Sequence, residues 1–469
     1  MPCRTSLRLL LSMLLVGVLA AAVQAGPSKP AKDDDYELHK VLVDTLDQVE
    51  RNYVKDVTRR QLIEAAIRGV LSELDPYSAY ISPKELKRFQ GSVEGEFGGI
   101  GIQISVDDGQ LTIMSPLVGT PAYRAGLLAG DIVTEVDGKS AEGITIDEAV
   151  NRLKGKAGTK VTLSVLHPGA TEEVKVTITR ELIRVETVLG DRRKSNDAWD
   201  FMLDHTSRIG YVRITAFSRD TARELRAAMV ELKKEKLRGL VLDLRFNPGG
   251  LLSSAIEVSD LFIPKGRIVS TSGRNSPERT WDAHEKNTFT GFPMVVLVNR
   301  YSASASEIVS ACLQDNKRAV IIGERTWGKG SVQNVIEMEQ GLSALKLTTA
   351  SYKRPSGKNI DRLSAAKDSD EWGVMPTGSH RLKLDEEELA ALFRDRRDRD
   401  ILLSHEQKPN DQKKTDNGKP AKEEPKGTAK PDKPEPAKPD TTKPDAAKPV
   451  DRQLRMAVDY LTSELAKAN

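Results

Sequence analysis

Residues 299–333 read NRYSASASEIVSACLQDNKRAVIIGERTWGKGSVQ, and the fold follows from this stretch. It leaves an apolar run, Met294 to Val298, with the length and β-branched character of a buried strand. Five small residues, Ser302 to Ser306, break that run. A helical apolar pattern through Ile308, Val309 and Leu313 follows. A second buried-strand run, Ala319 to Ile322, then enters a glycine-rich loop carrying one lysine, Lys329. Strand, serine turn, helix, strand and lysine loop form an order that can set a hydroxyl against an amine.

A serine hydroxyl becomes a useful nucleophile when a neighbouring base removes its proton, and a neutral lysine can be that base. Lysine titrates near 10.4 in water, so the role requires a drop of roughly three units, about 4 kcal/mol of differential solvation. Burial in an apolar site supplies that much. Trp327, the preceding strand and the glycines at 328 and 330 predict an enclosed but approachable lysine. By residue type alone, Ser304 reads as a helix N-cap, Lys329 as a solvated loop residue and Gln333 as an ordinary polar residue. The same loop, GERTWGKG, imitates a phosphate-binding loop. It fails because Gly330 stands where Ser or Thr must follow the lysine to hold magnesium.

Outward from this stretch the chain changes character several times. Its 469 residues suffice for two or three domains. Lys and Arg total 71 against 68 Asp and Glu, a net charge of +3, which argues against a nucleic-acid partner. Residues 1–25 read as a cleavable signal peptide: Arg4 and Arg8, an apolar run from Leu9 to Val23, then Val23-Gln24-Ala25. Cleavage would leave Cys312 alone and therefore no internal disulfide. The expected location is a bacterial periplasm, with membrane association left open. Residues 34–95 read as helices with two apolar stripes, Leu38, Leu42, Leu46, Val49, Tyr53 and then Leu62 to Leu74. Such stripes form either intramolecular core or a subunit contact.

Residues 96–182 shift to short strands and glycine turns. Gly98, Gly99, Ile100, Gly101 and Ile102, followed by PAYRAGLLAGDIVTEVDG, resemble a PDZ domain. Amides of the glycine loop would capture a terminal carboxylate, and Val150 and Leu153 would line an apolar groove. The expected partners are polypeptides with apolar C-termini. A dinucleotide loop is excluded because Ile104 replaces the third glycine. Residues 183–385 hold the strand–helix–strand pattern of an α/β core and the turn signal Asn247-Pro248-Gly249-Gly250. Residues 386–406 read as an exposed charged helix, 407–450 as a disordered Lys/Pro-rich linker and 451–469 as a short amphipathic helix. That last helix is marginal alone and is expected to dock on its own body, another subunit or a partner. The six histidines do not cluster with Cys or acidic residues at metal-ligand spacings, so neither a metal nor another cofactor is expected.

Taken together, SASASE, GKG, DLRFNPGG, FGGIGI and YKRPSGK resemble the carboxyl-terminal processing proteases, the tail-specific Ser-Lys proteases of peptidase family S41. The resemblance runs from about residue 36 to 385. It implies an α/β (α+β) multidomain chain, a PDZ domain plus a crotonase/ClpP-like α/β serine-protease core with helical N- and C-terminal regions. It implies a serine-type endopeptidase with Ser304 as nucleophile, Lys329 as base and Gln333 orienting the lysine. Gly250 and Ala305 would then supply the backbone N–H groups of the oxyanion hole. It also implies a homo-oligomer, and an adaptor protein is a further partner the reading leaves open. The competing readings are a non-catalytic PDZ scaffold or chaperone, and a latent protease awaiting that adaptor.

Overall fold

The structure is a computed structural model that describes residues 32–363, 365–402 and 450–467. The expected signal peptide and nearly all of the expected linker lie outside the described residues. The chain divides into two compact units: Met1–Ser82 with Ile336–Lys346, and Pro83–Val335 with Leu347–Asn469.

In the first unit, α1 (Lys32–Asn52) and α2 (Arg59–Ser72) follow the predicted apolar stripes. Thr58 opens α2 through a capping box with Gln61, satisfying amides that no helical carbonyl reaches. Strand β1 (Ala79–Ile81) runs antiparallel to Ala344–Lys346, and Tyr80 donates to Glu339 at 3.0 Å. The stripes do not form an intramolecular core. Leu38, Val41, Leu42, Tyr53, Val70 and Leu74 are all at least half exposed.

The second unit begins with the glycine-rich segment. Strand β2 (Glu96–Gly99) leads into an antiparallel sheet in the order β3 (Ile102–Asp107), β4 (Gln110–Pro116), β5 (Ile132–Val136), β6 (Lys160–Leu166) and β7 (Val174–Thr179). Alternate residues, among them Leu111, Ile113, Val133, Val161 and Leu163, point inward onto Ala149 and Leu153 of helix α3 (Ile146–Leu153). Strand β3 is the sheet's edge, with α3 beside it.

The α/β core is a six-stranded sheet whose parallel centre is β8 (Ile209–Ile214), β9 (Gly239–Asp243), β10 (Met294–Val298) and β11 (Val320–Gly323), with Val188–Leu189 and Met202–Asp204 antiparallel to β8. These strands are nearly all apolar because both sheet faces are covered. One face packs on α4 (Thr221–Lys234), α5 (Leu252–Asp260) and α6 (Ala305–Asp315). Helix α7 (Glu386–Asp400) follows the core. Asp385 caps it, with acidic residues in its first turn and arginines in its last, the arrangement its dipole favours. It departs from the exposed helix expected, since Leu389, Leu392 and Arg396 are buried along one side.

The terminal helix α8 (Arg452–Lys467) resolves the question of where it docks. Its Leu454, Ala457 and Leu461 cover the sheet's second face against Ile209, Tyr211, Val241, Val295, Leu297 and Ile322. A short helix that is marginal alone is stabilised by this tertiary packing. Cys312, in α6, is buried and forms no disulfide.

Candidate active site

Three loops meet at the carboxyl ends of β9, β10 and β11, where open α/β sheets place their sites. After β10 the chain turns through Asn299 to Ser304 and enters α6. Ser304 has φ 55° and ψ −113°, a strained conformation for a residue with a Cβ. Such a turn lifts one side chain clear of the strand and aligns the next amide, that of Ala305, with the helix N-terminus. That amide has no partner within the helix.

The turn is fixed by the loop after β9. Asn247 accepts from Ala303 N and Ser306 Oγ, both at 3.0 Å, and donates to Ile214 O at 2.8 Å. Ser302 Oγ donates to Leu244 O at 2.9 Å. Gly249 lies so close that a Cβ there would stand 2.7 Å from Ser304 Cβ and 2.9 Å from Ala305 N. A Cβ on Gly250, at φ 148°, would meet Phe217 O at 2.2 Å. Both glycines are therefore steric requirements, and they bring the expected oxyanion loop against the expected nucleophile.

The residue that ties the site together was not singled out from sequence. Glu307, wholly buried on α6, accepts four hydrogen bonds. Its Oε1 receives Thr326 Oγ1 at 2.5 Å and Gly328 N at 2.6 Å. Its Oε2 receives both Ser304 N and Lys329 N at 2.8 Å. The amides of Ser304 and Lys329 thus converge on one oxygen, within twice that distance of each other. Burial pushes the Glu307 carboxyl up to about 7, against the opposing pull of these four donors. Its sequence signal was the spacing Ser304-x-x-Glu307, a capping box.

Lys329 is half-buried, and its loop is further held by Trp327 N donating to Ser302 O at 2.9 Å and Arg362 N to Gly328 O at 2.8 Å. Trp327 does not enclose the lysine as expected; it is 51% exposed. Gln333 donates through Nε2 to Ser331 Oγ at 2.9 Å and Thr348 Oγ1 at 3.1 Å.

Behind the Asn247–Gly250 loop lies a buried ion network. Asp243 accepts from Tyr211 at 2.8 Å, from Arg245 at 2.7 Å and from Arg396 of α7. Burial alone would raise the Asp243 carboxyl, but the guanidiniums of Arg245 and Arg396 hold it well below the usual carboxylate range. Arg245, with no exposed side-chain surface, also pairs with Asp451 at the start of α8, at 2.7 Å and 2.9 Å, and with Gln453 at 3.1 Å. Removing one partner of a buried pair strands the other charge. Asp451→Ala is therefore expected to cost about 3 kcal/mol, measured as a lower urea midpoint at unchanged slope; an unshifted midpoint would show that water replaces the carboxylate.

In the PDZ segment, Gly99, Ile100, Gly101, Ile102, Val150 and Leu153 line one groove, as expected. Phe97, Ile104 and Lys154 join them, with Lys154 Nζ 4.7 Å from the Phe97 ring centroid. Gly98 does not line the groove. It lies against the loop after α3, where a Cβ would meet Gly155 O at 2.1 Å. Three histidines pair with carboxylates, though not in groups of metal-ligand type: His167 with Asp131 at 2.7 Å, His205 with Asp200 at 3.3 Å and His284 with Asp260 at 3.5 Å. Asp131 and His167 belong to the PDZ segment, Asp200 precedes β8, and Asp260 and His284 lie between the end of α5 and β10, so none of these pairs is in the three loops around Ser304. Among the described residues, no group of His, Cys, Asp and Glu is arranged to hold a metal, and no helix is long and apolar enough to cross a membrane.

A parallel α/β core with a strained serine at a strand-to-helix turn, beside a PDZ groove, defines a PDZ-bearing serine-type peptidase. Comparison with known proteins agrees. Residues 208–370 match peptidase family S41, residues 112–166 a PDZ domain, and residues 19–85 the N-terminal domain of the activating protease CtpB. The carboxy-terminal-processing protease of Bartonella bacilliformis is 41% identical over 330 residues, covering 69% of this chain and 73% of that one. CtpA of Bacillus subtilis, also a carboxy-terminal processing protease, is 36% identical over 369 residues and 76% of each chain. The solved photosystem II D1 C-terminal processing protease is 29% identical with a TM-score of 0.41, covering 75% of this chain and 94% of that one. The chain belongs to the carboxy-terminal processing proteases of peptidase family S41.

Proposed function

We propose that this chain is an exported endopeptidase that binds the C-terminal tails of cell-envelope proteins in its PDZ groove and cleaves them with a Ser304–Lys329 dyad. The observation that carries the reading is the convergence of the Ser304 and Lys329 amides on Glu307 Oε2. Lys329 Nζ takes the proton as Ser304 Oγ attacks the scissile carbonyl. The oxyanion is met by the amides of Ala305 and Gly250, the former at the positive end of α6. Lys329 then delivers its proton to the leaving amine, and water resolves the acyl-enzyme. Gln333 holds the lysine in place. No metal takes part in these steps.

The N-terminal signal reading supports a periplasmic location. The exposed stripes of α1 and α2 support pairing with a second copy of the chain or with an adaptor.

The test is cleavage of an unfolded substrate bearing an apolar C-terminus, with free and amidated termini compared. The free form is expected to be cut at least tenfold faster, because the amide removes the charge that the glycine loop receives. Equal rates would remove tail recognition from the mechanism.

A further inference from the structure

On the far side of β3 from the PDZ groove lies a cavity of about 270 Å³. Arg213, Arg245, Arg396 and Arg397 line it, against a single carboxylate, Asp400. Phe246 and Phe393 form an apolar wall, with Thr215 and Gln103 of β3 beside it. Arg213 pairs with Asp400, and Arg245 is satisfied from behind by Asp243 and Asp451. The other two have donors to spare. Arg396 is buried, yet among the described residues its Nε has no hydrogen-bond partner. Among the described residues, Arg397 pairs only with its exposed neighbour Asp398, an ion pair that water screens.

The strand geometry says what faces this cavity. A tail added to the free edge of β3 alternates its side chains between the two faces. Ile102 and Ile104 line the groove, while Gln103 between them lines the arginine cavity. If the terminal carboxylate rests on the Gly99–Gly101 amides, the last residue lies opposite Ile102 and the penultimate one opposite Gln103. Helix α7 reaches the same face, since Leu402 N, just past its end, donates to Ser115 Oγ, and Ser115 pairs with Gln103 across the sheet.

We propose that this cavity is a specificity subsite for an acidic side chain, aspartate or glutamate, at the penultimate position of the bound tail. The assignment rests on the tail-binding reading above. It makes the preferred tail bipartite: an apolar last residue for the groove and a carboxylate before it for the arginines. Planar guanidinium forks suit a carboxylate, and charge-assisted hydrogen bonds are the stronger kind.

The test uses full-length protein carrying Ser304→Ala, to stop turnover, and fluorescence anisotropy with labelled decapeptides. These are identical except that they end in Asp-Val, Asn-Val or amidated Asp-Val. Asp-Val is expected to bind about tenfold more tightly than Asn-Val, and adding Arg397→Gln, on the exposed face of α7, is expected to shrink that ratio below about three. Equal affinity for Asp-Val and Asn-Val, with binding lost on amidation, overturns the subsite and leaves tail recognition standing. Binding indifferent to amidation overturns the tail reading itself. An undiminished ratio in the Arg397→Gln protein overturns the assignment to this cavity.

Discussion

Ser304→Ala and Lys329→Ala are each expected to lower proteolysis by about 10⁴-fold or more, with the fold and tail affinity unchanged. The two effects should not multiply in the double variant, because the proposed nucleophile and base would act in the same step. Ser304→Ala should also relax no backbone strain, since alanine meets the same steric penalty at φ 55° as serine. Thermal unfolding of the two proteins should therefore coincide closely. A fluorogenic peptide assay decides the matter: either single variant cutting within tenfold of the parent removes that residue from the chemistry. The scaffold reading, in which the core is only a platform, predicts no measurable cleavage by the parent protein at all.

Glu307→Ala is expected to cost both activity and stability. Three backbone amides and one hydroxyl would lose their acceptor inside the protein, and unpaired buried donors cost about 1–3 kcal/mol each before water enters. Losing the clamp frees the serine and lysine turns to drift, and a displacement of about 1 Å at reacting groups costs on the order of 10²-fold in rate. Glu307→Gln separates charge from hydrogen bonding, since it keeps one acceptor and turns the other into a donor facing donors. The pH dependence has a definite sign. The folded value of about 7 lies above the ordinary 4.5, so the folded chain holds this proton more tightly than the unfolded one. The stability it contributes is fully present below about pH 4.5 and is lost as pH rises through about 7. Urea midpoints of parent and Glu307→Gln, compared at pH 5 and pH 8, should diverge accordingly; parallel curves would mean the carboxyl stays ionised throughout.

How much of this was legible in the sequence follows from the range of each interaction. The runs at 240–244, 294–298 and 319–322 announce buried strands because their neighbours along the chain carry the signal. SASASE and GKG are equally local, so the serine and lysine loops could be read directly. The PDZ groove was read nearly whole for the same reason, although Phe97, Ile104 and Lys154 were missed at its margins. Glu307 was visible only as a capping residue. Its other three donors arrive from residues 326–329, a contact that periodicity does not encode. Arg245 and Asp451 stand 206 residues apart, across the segment read as a spacer, and no local pattern joins them. The stripes of α1 and α2 were read correctly as helical, but periodicity reports that a face is apolar, not what covers it.

The docking of α8 has a consequence for the order of assembly. A growing polypeptide that has emerged only as far as residue 449 contains every strand of the catalytic sheet, yet that sheet is still open on one side. Arg245, beneath the Asn247–Gly250 loop, is then still short of the Asp451 carboxylate. Closure waits for residues 450–467 to arrive.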